Sequence, residues 1–472
     1  MGKLNDIRFT KTNGGMGRTA ASDDPISGLV MYLPELTDGE LTSVSNARQF
    51  DKVENVDGNN SLYVARLRYP EELADYGLEH QESLAAEDVA YDTQPIADNL
   101  ADGEKHVGAV NALVYHVEQF FKQNPEGTLY LGVKKTGDHV RGNDLKAMQV
   151  YANGALRQCG VFTPNLKVGT GANAVDLLSE YQTTCTDLEA DHTPMSVVVA
   201  VPGKTMTVTA TVEATETTGH YDITVTTGVD ESNGAFSLPK TNLTSSSPTN
   251  QHFAAGRCNV SLLAGCDLDP ALKNSLVQYG YYGCIGICLG AISKAAVHES
   301  IAWVGNFPLG MKAPGLISGE PIRDVSTADK EKIHGNRYIF VITHAGDADN
   351  YFNDSHTLDV DSSDYAYIEN VRTIDKACRG IRSKLLPWLN SPLRVDPSNG
   401  QLESGMVSFL ETTAGEALEE MEKAGELSGY KVEIDPDQNV ISTSEVEIII
   451  KKVPVGVMRK VHVKIGFTTK LS

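Results

Sequence analysis

The side chains able to do chemistry are scattered along the chain, and none falls into a pattern that performs it. A phosphate-cradling loop needs Gly-x4-Gly-Lys-Ser/Thr after a strand. Gly14-Gly15-Met16-Gly17 has neither the strand nor the lysine. Gly315-Leu316-Ile317-Ser318-Gly319 carries one residue too many before its serine to be a G-x-S-x-G nucleophile turn. The 12 histidines contain no HExxH pair and the 7 cysteines no CxxC pair, so neither a zinc-hydrolase helix nor a zinc ribbon is signalled. Cys284 and Cys288 share a helical face inside an apolar run and read as core. The acidic stretch Asp347–Asp364 invites a calcium reading, but an EF-hand loop needs Gly sixth and Glu twelfth. Counting from Asp347 gives Phe352 and Leu358; counting from Asp359 gives Asp364 and Asn370. A looser ion site is all that this stretch allows. The expectation is a non-enzymatic protein with no catalytic residue, no metal and no cofactor.

One charged constellation has a positive reading. Arg372, Lys376 and Arg379 lie within roughly 60° of one another on a helix, nearly opposite its apolar face. Such a face is either solvated or docks against a complementary acidic surface. The helix that positions it carries Val371, Ile374, Cys378, Ile381, Leu385 and Trp388 at helical spacing and closes at Pro387. The turn cluster Asp396-Pro397-Ser398-Asn399-Gly400 follows. A second helix turns Met406, Phe409, Leu410, Thr413, Ala417 and Met421 inward and ends at Gly425 and Gly429. The period then falls to 2. Tyr430, Val432 and Ile434 alternate with polar residues, Glu445–Val453 continues as a strand, and Pro454-Val455-Gly456 breaks it. In the last strand Val461, Val463, Ile465 and Phe467 face one way, His462, Lys464 and Thr468 the other. From Lys451 to the end there are six Lys or Arg and no acid, in a chain of net charge −22.

The order YIENVRTID, W, NGQL, FLETTAGEALEEMEKAGELSGYKVEIDPDQNV and EVEIIIKKVPVGVMRKVHVKIGF resembles the C-terminal domain of contractile phage tail sheath proteins. Thr373 departs from the family, which often has a second Arg there. The resemblance covers 365–472 and extends to 1–34, 107–163 and 258–309, where GICLGAISKAAVHESIAWVGNFPL is similar to a buried helix leading to a Trp-containing turn. It implies a virion structural subunit of a bacteriophage or contractile injection system. Copies would form hexameric rings in a helical assembly around a tail tube. Contraction would then drive the tube through an envelope for genome ejection or its equivalent. It also implies as partners other copies of the chain, the tube protein, and baseplate and tail terminator proteins. The location implied is the tail of a virion or phage-like particle assembled in a bacterial cytoplasm. The innermost position of the C-terminal domain in that family would turn Arg372, Lys376 and Arg379 towards the tube. Another tail or baseplate component with a sheath-like domain is the nearest alternative, and an α/β enzyme of unrecognised type a more distant one.

The remainder of the chain fits a large structural protein. Its 472 residues suggest about three domains, with 41% hydrophobic and 22% charged residues in the globular range. A pI near 4.9 argues against direct nucleic-acid binding. No signal peptide opens the chain, and Asp6 occupies the position where a myristoylation site needs Ser or Thr. The longest apolar run, Tyr281–Ile292, is too short for membrane insertion. The expectation is a soluble chain made in a reducing cytoplasm. Eleven acids and no Lys or Arg lie between Glu71 and Glu104, either as a solvated face or as a dock for another copy's basic C-terminal arm.

In chain order, 1–34 reads as an N-terminal arm: Ile7 and Phe9 sit in a short orphan strand, and Gly14, Gly15 and Gly17 form a hinge. Both this strand and the one bearing Val461, Val463, Ile465 and Phe467 are expected to pair with sheets in other subunits. Residues 35–201 alternate helices and apolar strands and read as the first part of an α/β body. Residues 202–256 form an inserted β module, 257–364 the second part of the body, and 365–472 the C-terminal domain with its terminal strand. The predicted fold class is mixed α/β, multidomain and sheath-like, with extended terminal arms.

Overall fold

The computed structural model describes residues 24–54, 61–137, 139–168, 175–230, 258–398, 400–438 and 440–467. The fold is mixed α/β. It is built on an eight-stranded sheet whose order, from one edge, is Tyr338–Ile339, Val260–Leu263, Ser196–Ala200, Gln158–Phe162, Ile26–Tyr32, Thr128–Lys134, Ser61–Leu67 and Asp51–Glu54. The first six run parallel to one another; the last two join antiparallel at the far edge. The central strands are apolar without alternation because both of their faces are covered. Ser196–Ala200 and Gln158–Phe162 are buried at every position.

Ile26–Tyr32 corrects the reading of 1–34 as an arm. It is a central strand, hydrogen-bonded on both sides, with Leu29, Val30 and Met31 fully buried. A Gly and a Ser early in the segment hide its apolar run from a period-2 template. The expected orphan strand at Ile7 and Phe9, and the hinge at Gly14, Gly15 and Gly17, lie outside the described residues.

One face of the sheet is covered by the Ala97–Gln123 helix and the Ile285–Lys294 helix, the other by Gly142–Tyr151, Leu177–Ala190 and Thr327–Gly335. The first two helices cross at backbone distance. A Cβ at Gly286 would lie 2.0 Å from the His116 carbonyl oxygen, and one at Gly290 2.6 Å from that of Phe120. Glycine is what lets these two axes touch. Cys284 and Cys288 sit in this interface, fully buried, and burial pushes both thiols up.

The region 202–256 contains the hairpin Thr205–Ala214 and His220–Asp230, as its alternation predicts. The hairpin is not detached from the body. It takes Ala86–Ala90, from the acidic stretch, as a third strand, and Val208 packs with Ala101 of the long helix and Val277. Asp88 pairs with His220 at 2.7 Å. The acidic stretch is therefore partly structural: Glu72 holds Arg48 at 2.8 Å, and buried Glu104 accepts from the Leu84 amide at 2.7 Å.

The C-terminal region follows its predicted order. A helix spans Ile368–Leu385 and a second Ser404–Lys423, and the strands Leu427–Glu433 and Ile449–Pro454 pair antiparallel. The strand expected over Glu445–Val453 starts only at Ile449, because a short helical turn at Val440–Thr443 uses up the connection. Leu418, Met421, Ala377 and Leu427 form a small core beneath this ribbon. No helix among the described residues is long and apolar enough to cross a membrane.

Candidate interaction site

The ribbon of Leu427–Glu433 and Ile449–Pro454 has no third strand among the described residues. A two-stranded ribbon is marginal in water without further cover. One face rests on the second helix through Tyr430, Val432 and Ile450, while Ile449 and Val453 stay exposed. Lys431 and Lys451 both pair with Glu433, the latter at 2.9 Å. No further strand pairs with either outer edge among the described residues, and sheet edges of this kind can recruit another strand.

Beyond Pro454 the chain leaves the ribbon, and one residue pins it to the body. The Arg459 guanidinium lies 3.5 Å from the centre of the Tyr367 ring, and its Nε donates to both Asp354 oxygens at 3.0 and 3.2 Å. Its Nη2 donates to Glu369. Both carboxylates are buried. Burial pushes the Glu369 carboxyl up, against the pull of Arg459 and the Ser355 hydroxyl. Burial also works against the Arg459 charge, yet Glu369 and Asp354 hold its pKa above the ordinary value. After this anchor the chain runs free: Val461 is 64% exposed, Val463 78%, Ile465 95% and Phe467 fully exposed. These four side chains have no apolar cover, and no ladder pairs their backbone among the described residues.

The basic face does not look outward. Arg372 is buried and donates Nη1 to the carbonyls of Ala295 and Ala296, at 3.1 and 3.3 Å, where the Ile285–Lys294 helix ends. A cation there complements the carbonyl end of that helix. Lys376 pairs with Asp24 at 2.7 Å and Glu426 at 2.5 Å, and Arg379 with Asp24 at 3.3 Å. Burial lowers Arg379 to about 10. Burial opposes the Lys376 charge, but its two carboxylates win and its pKa rises. The three residues thus bind the C-terminal helix to the body through partners in the same chain. The body covers much of this helix along its first half, where Val371, Arg372, Thr373 and Asp375 are all buried. The later apolar residues emerge instead. Cys378 is exposed, and Leu386, Trp388, Leu389 and Phe409 make an exposed patch in which the last aromatic meets Trp388 edge to face at 4.7 Å.

Two histidines outside any sequence motif meet beside the Arg459 anchor. His334, near the end of the Thr327–Gly335 helix, and His356, in the acidic loop, bring Nδ1 and Nε2 to 3.1 Å. Asp354 completes a cluster whose donor atoms lie within 4.8 Å of one another. Burial, then Arg337, His334 and Arg459, pushes His356 down to about 2; burial also lowers His334. The loop keeps this shape because buried Arg337 donates to Thr357 O at 3.2 Å and also to Asp361 and Ala366 O. Asp354-Ser355-His356 places two of the three side chains together in the sequence, but 20 residues separate Asp354 from His334, and only the fold brings in the third.

None of the curated proteins matches the chain. Among solved structures it is similar to a chain of the anti-feeding prophage baseplate, at 12% identity, covering all of both chains, with a TM-score of 0.48. It is similar also to a chain of the contracted PVC sheath complex of an extracellular contractile injection system, at 11% identity, covering 100% of this chain and 98% of that one, with a TM-score of 0.49. The likeness to the sheath tail protein of Listeria innocua is shorter: 12% identity, 68% of this chain and 63% of that one, TM-score 0.36. Residues 4–356 match the family model described as DUF2586, N-terminal domain, and residues 364–472 match DUF2586, C-terminal domain. The chain belongs to the DUF2586 family.

Proposed function

We propose that the chain is the structural subunit of a contractile sheath-type particle, and that copies hold together by lending terminal strands to one another's ribbons. The observation that carries this reading is the segment after Arg459, where Val461, Val463, Ile465 and Phe467 alternate with His462, Lys464 and Gly466 and are 64% exposed or more. Burying side chains of this size is worth roughly 1.5–3 kcal/mol each, and each main-chain hydrogen bond nets about 0.5–1.5 kcal/mol. A folded chain that leaves four of them in water is built to bury them elsewhere. The ribbon at Leu427–Glu433 and Ile449–Pro454 offers the matching acceptor, with no third strand on either edge among the described residues. The N-terminal segment holding Ile7 and Phe9 would take the second edge, with Gly14, Gly15 and Gly17 as its hinge.

The sequence resemblance to tail sheaths supports hexameric rings stacked helically around a tube. Arms of this kind let rigid α/β bodies slide and rotate while staying joined, so a lower-energy lattice can supply the force. Tube, baseplate and terminator proteins are the partners of that reading. The patch of Leu386, Trp388, Leu389 and Phe409 supplies a contact surface on the C-terminal region.

Negative-stain microscopy of the purified chain tests this. The full chain is expected to form rings or hollow tubes, and a chain ending at Lys460 to remain dispersed with an unchanged circular dichroism spectrum. Polymers formed equally well by the shortened chain would overturn strand lending.

A further inference from the structure

We propose that His334, His356 and Asp354 form a binding site for a borderline transition-metal ion of the zinc class, at the root of the C-terminal arm. His356 Nε2 and His334 Nδ1 face each other at 3.1 Å. Ligands around a tetrahedral ion with bonds of about 2.0–2.2 Å stand roughly 3.3 Å apart. The two nitrogens therefore already have the spacing of neighbouring ligands, and the Asp354 carboxylate lies within the same 4.8 Å cluster.

The hydrogen-bond pattern fixes which nitrogens of this pair carry protons. Asn353 Oδ1 accepts from the Phe340 amide at 2.8 Å, which fixes the orientation of its amide group. Its Nδ2 then donates to His334 Nδ1 at 3.2 Å and to Tyr338 O at 3.1 Å. His334 Nδ1 is thus an acceptor, and His356 must put its own proton on Nε2. That choice strips the proton from His356 Nδ1, which is buried and has no partner. For a metal ion to bind, its bond to His334 Nδ1 replaces the hydrogen bonds this nitrogen now accepts, and the His356 proton moves to Nδ1, which frees Nε2 to be a ligand. Asp354 also has capacity left: Oδ1 takes Arg459 and the Ser355 amide, at 3.0 and 2.8 Å, but Oδ2 takes only Arg459, at 3.2 Å. A carboxylate has about four acceptor positions.

The surroundings are those of a built site. The His356 ring stacks on Tyr367 with centroids 5.8 Å apart, and the Arg459 clasp orients Asp354. Two imidazole nitrogens with one carboxylate suit zinc, cobalt or nickel, whereas calcium and magnesium take oxygen ligands almost exclusively. His334 is half-buried, and His356 and Asp354 are buried.

The test uses the full chain after exhaustive chelation. Calorimetric titration with zinc chloride is expected to show one ion per chain, and cobalt to give the intense visible bands of a tetrahedral centre. Calcium and magnesium give neither. His334→Gln, at a half-exposed position that tolerates the change, should weaken zinc binding at least about tenfold. His356→Gln should do the same, and both should abolish the cobalt bands. Absence of zinc binding in the chelated chain would overturn the proposal. So would binding that is unchanged in His334→Gln, which would place the ion elsewhere among the histidines and cysteines. None of these outcomes depends on whether the chain polymerises.

Discussion

Arg459→Ala is the most informative single change in the C-terminal region. The guanidinium meets Asp354 and Glu369, whose side chains are 7% and 3% exposed, and covers the face of Tyr367. Removing one partner of a buried ion pair costs about 3–5 kcal/mol because the other charge is left unpaired. Two features reduce that figure. The Arg459 side chain is itself 26% exposed, and Glu369 has a raised pKa and discharges by taking a proton. A loss of about 2–3 kcal/mol is the resulting expectation. It falls on the joint between loop and helix, held by the Thr357 amide on Ala366 O at 3.1 Å and the Ile368 amide on Ser355 O at 2.9 Å. Native-state hydrogen exchange at those two amides should accelerate roughly 30- to 150-fold, since each factor of ten is about 1.4 kcal/mol. Arg459→Lys should not restore full protection, because an ammonium has neither the fork that gives Nε to Asp354 and Nη2 to Glu369 nor the planar face that lies on the Tyr367 ring. A double-mutant cycle with Glu369→Gln should give a coupling of at least about 1 kcal/mol. If exchange at Thr357 and Ile368 changes by less than about threefold in Arg459→Ala, the clasp holds nothing and the reasoning fails.

The sequence made the C-terminal helices readable because their apolar residues repeat at helical spacing and end at Pro387 and Gly425, the latter at a positive φ of 76°. The same pattern misled about Arg372, Lys376 and Arg379. A helical wheel counts only the apolar residues of one helix, so a face buried through ion pairs looks solvated. The partners that bury it, Asp24 and Glu426, lie 352 and 50 residues from Lys376. Ile26–Tyr32 was hidden for a different reason: a strand covered on both faces shows no alternation, and Ser27 and Gly28 dilute its hydrophobicity. Of the cluster of His334, Asp354 and His356, only Asp354-x-His356 is adjacent in sequence, and nothing there points to His334. The acidic loop could be weighed only against a contiguous calcium template, whereas its histidine completes a site with a helix residue from before the last body strands. The strand expected at Val461, Val463, Ile465 and Phe467 is not formed among the described residues, where these four side chains at period 2 lie exposed and without a paired neighbour.

Two further substitutions test the packing and electrostatics of the body. Gly286→Ala would drive a methyl to 2.0 Å from a backbone carbonyl that cannot swing aside, so a loss at or above the usual overpacking range of about 1–3 kcal/mol is expected in chemical denaturation. Gly405→Ala, with no atom within 4 Å of the added carbon, serves as the control and should be neutral or slightly stabilising. His116 tests pH dependence. Fully buried beside Phe162, it is pushed down to about 3 by burial alone. Its folded pKa lies below the unfolded one, so between those values the unfolded chain binds more protons and stability falls as pH drops from about 6.5 towards 3. From pH 6 to pH 5 this one residue should remove about 1 kcal/mol. His116→Gln keeps an acceptor for the Gly286 amide, which reaches Nδ1 at 3.5 Å, but has nothing to titrate. Its stability should therefore fall less over that interval, by the same 1 kcal/mol or so. Parallel profiles for the parent and His116→Gln would mean that the imidazole is protonated in the folded chain, and that the helix crossing at Gly286 admits water.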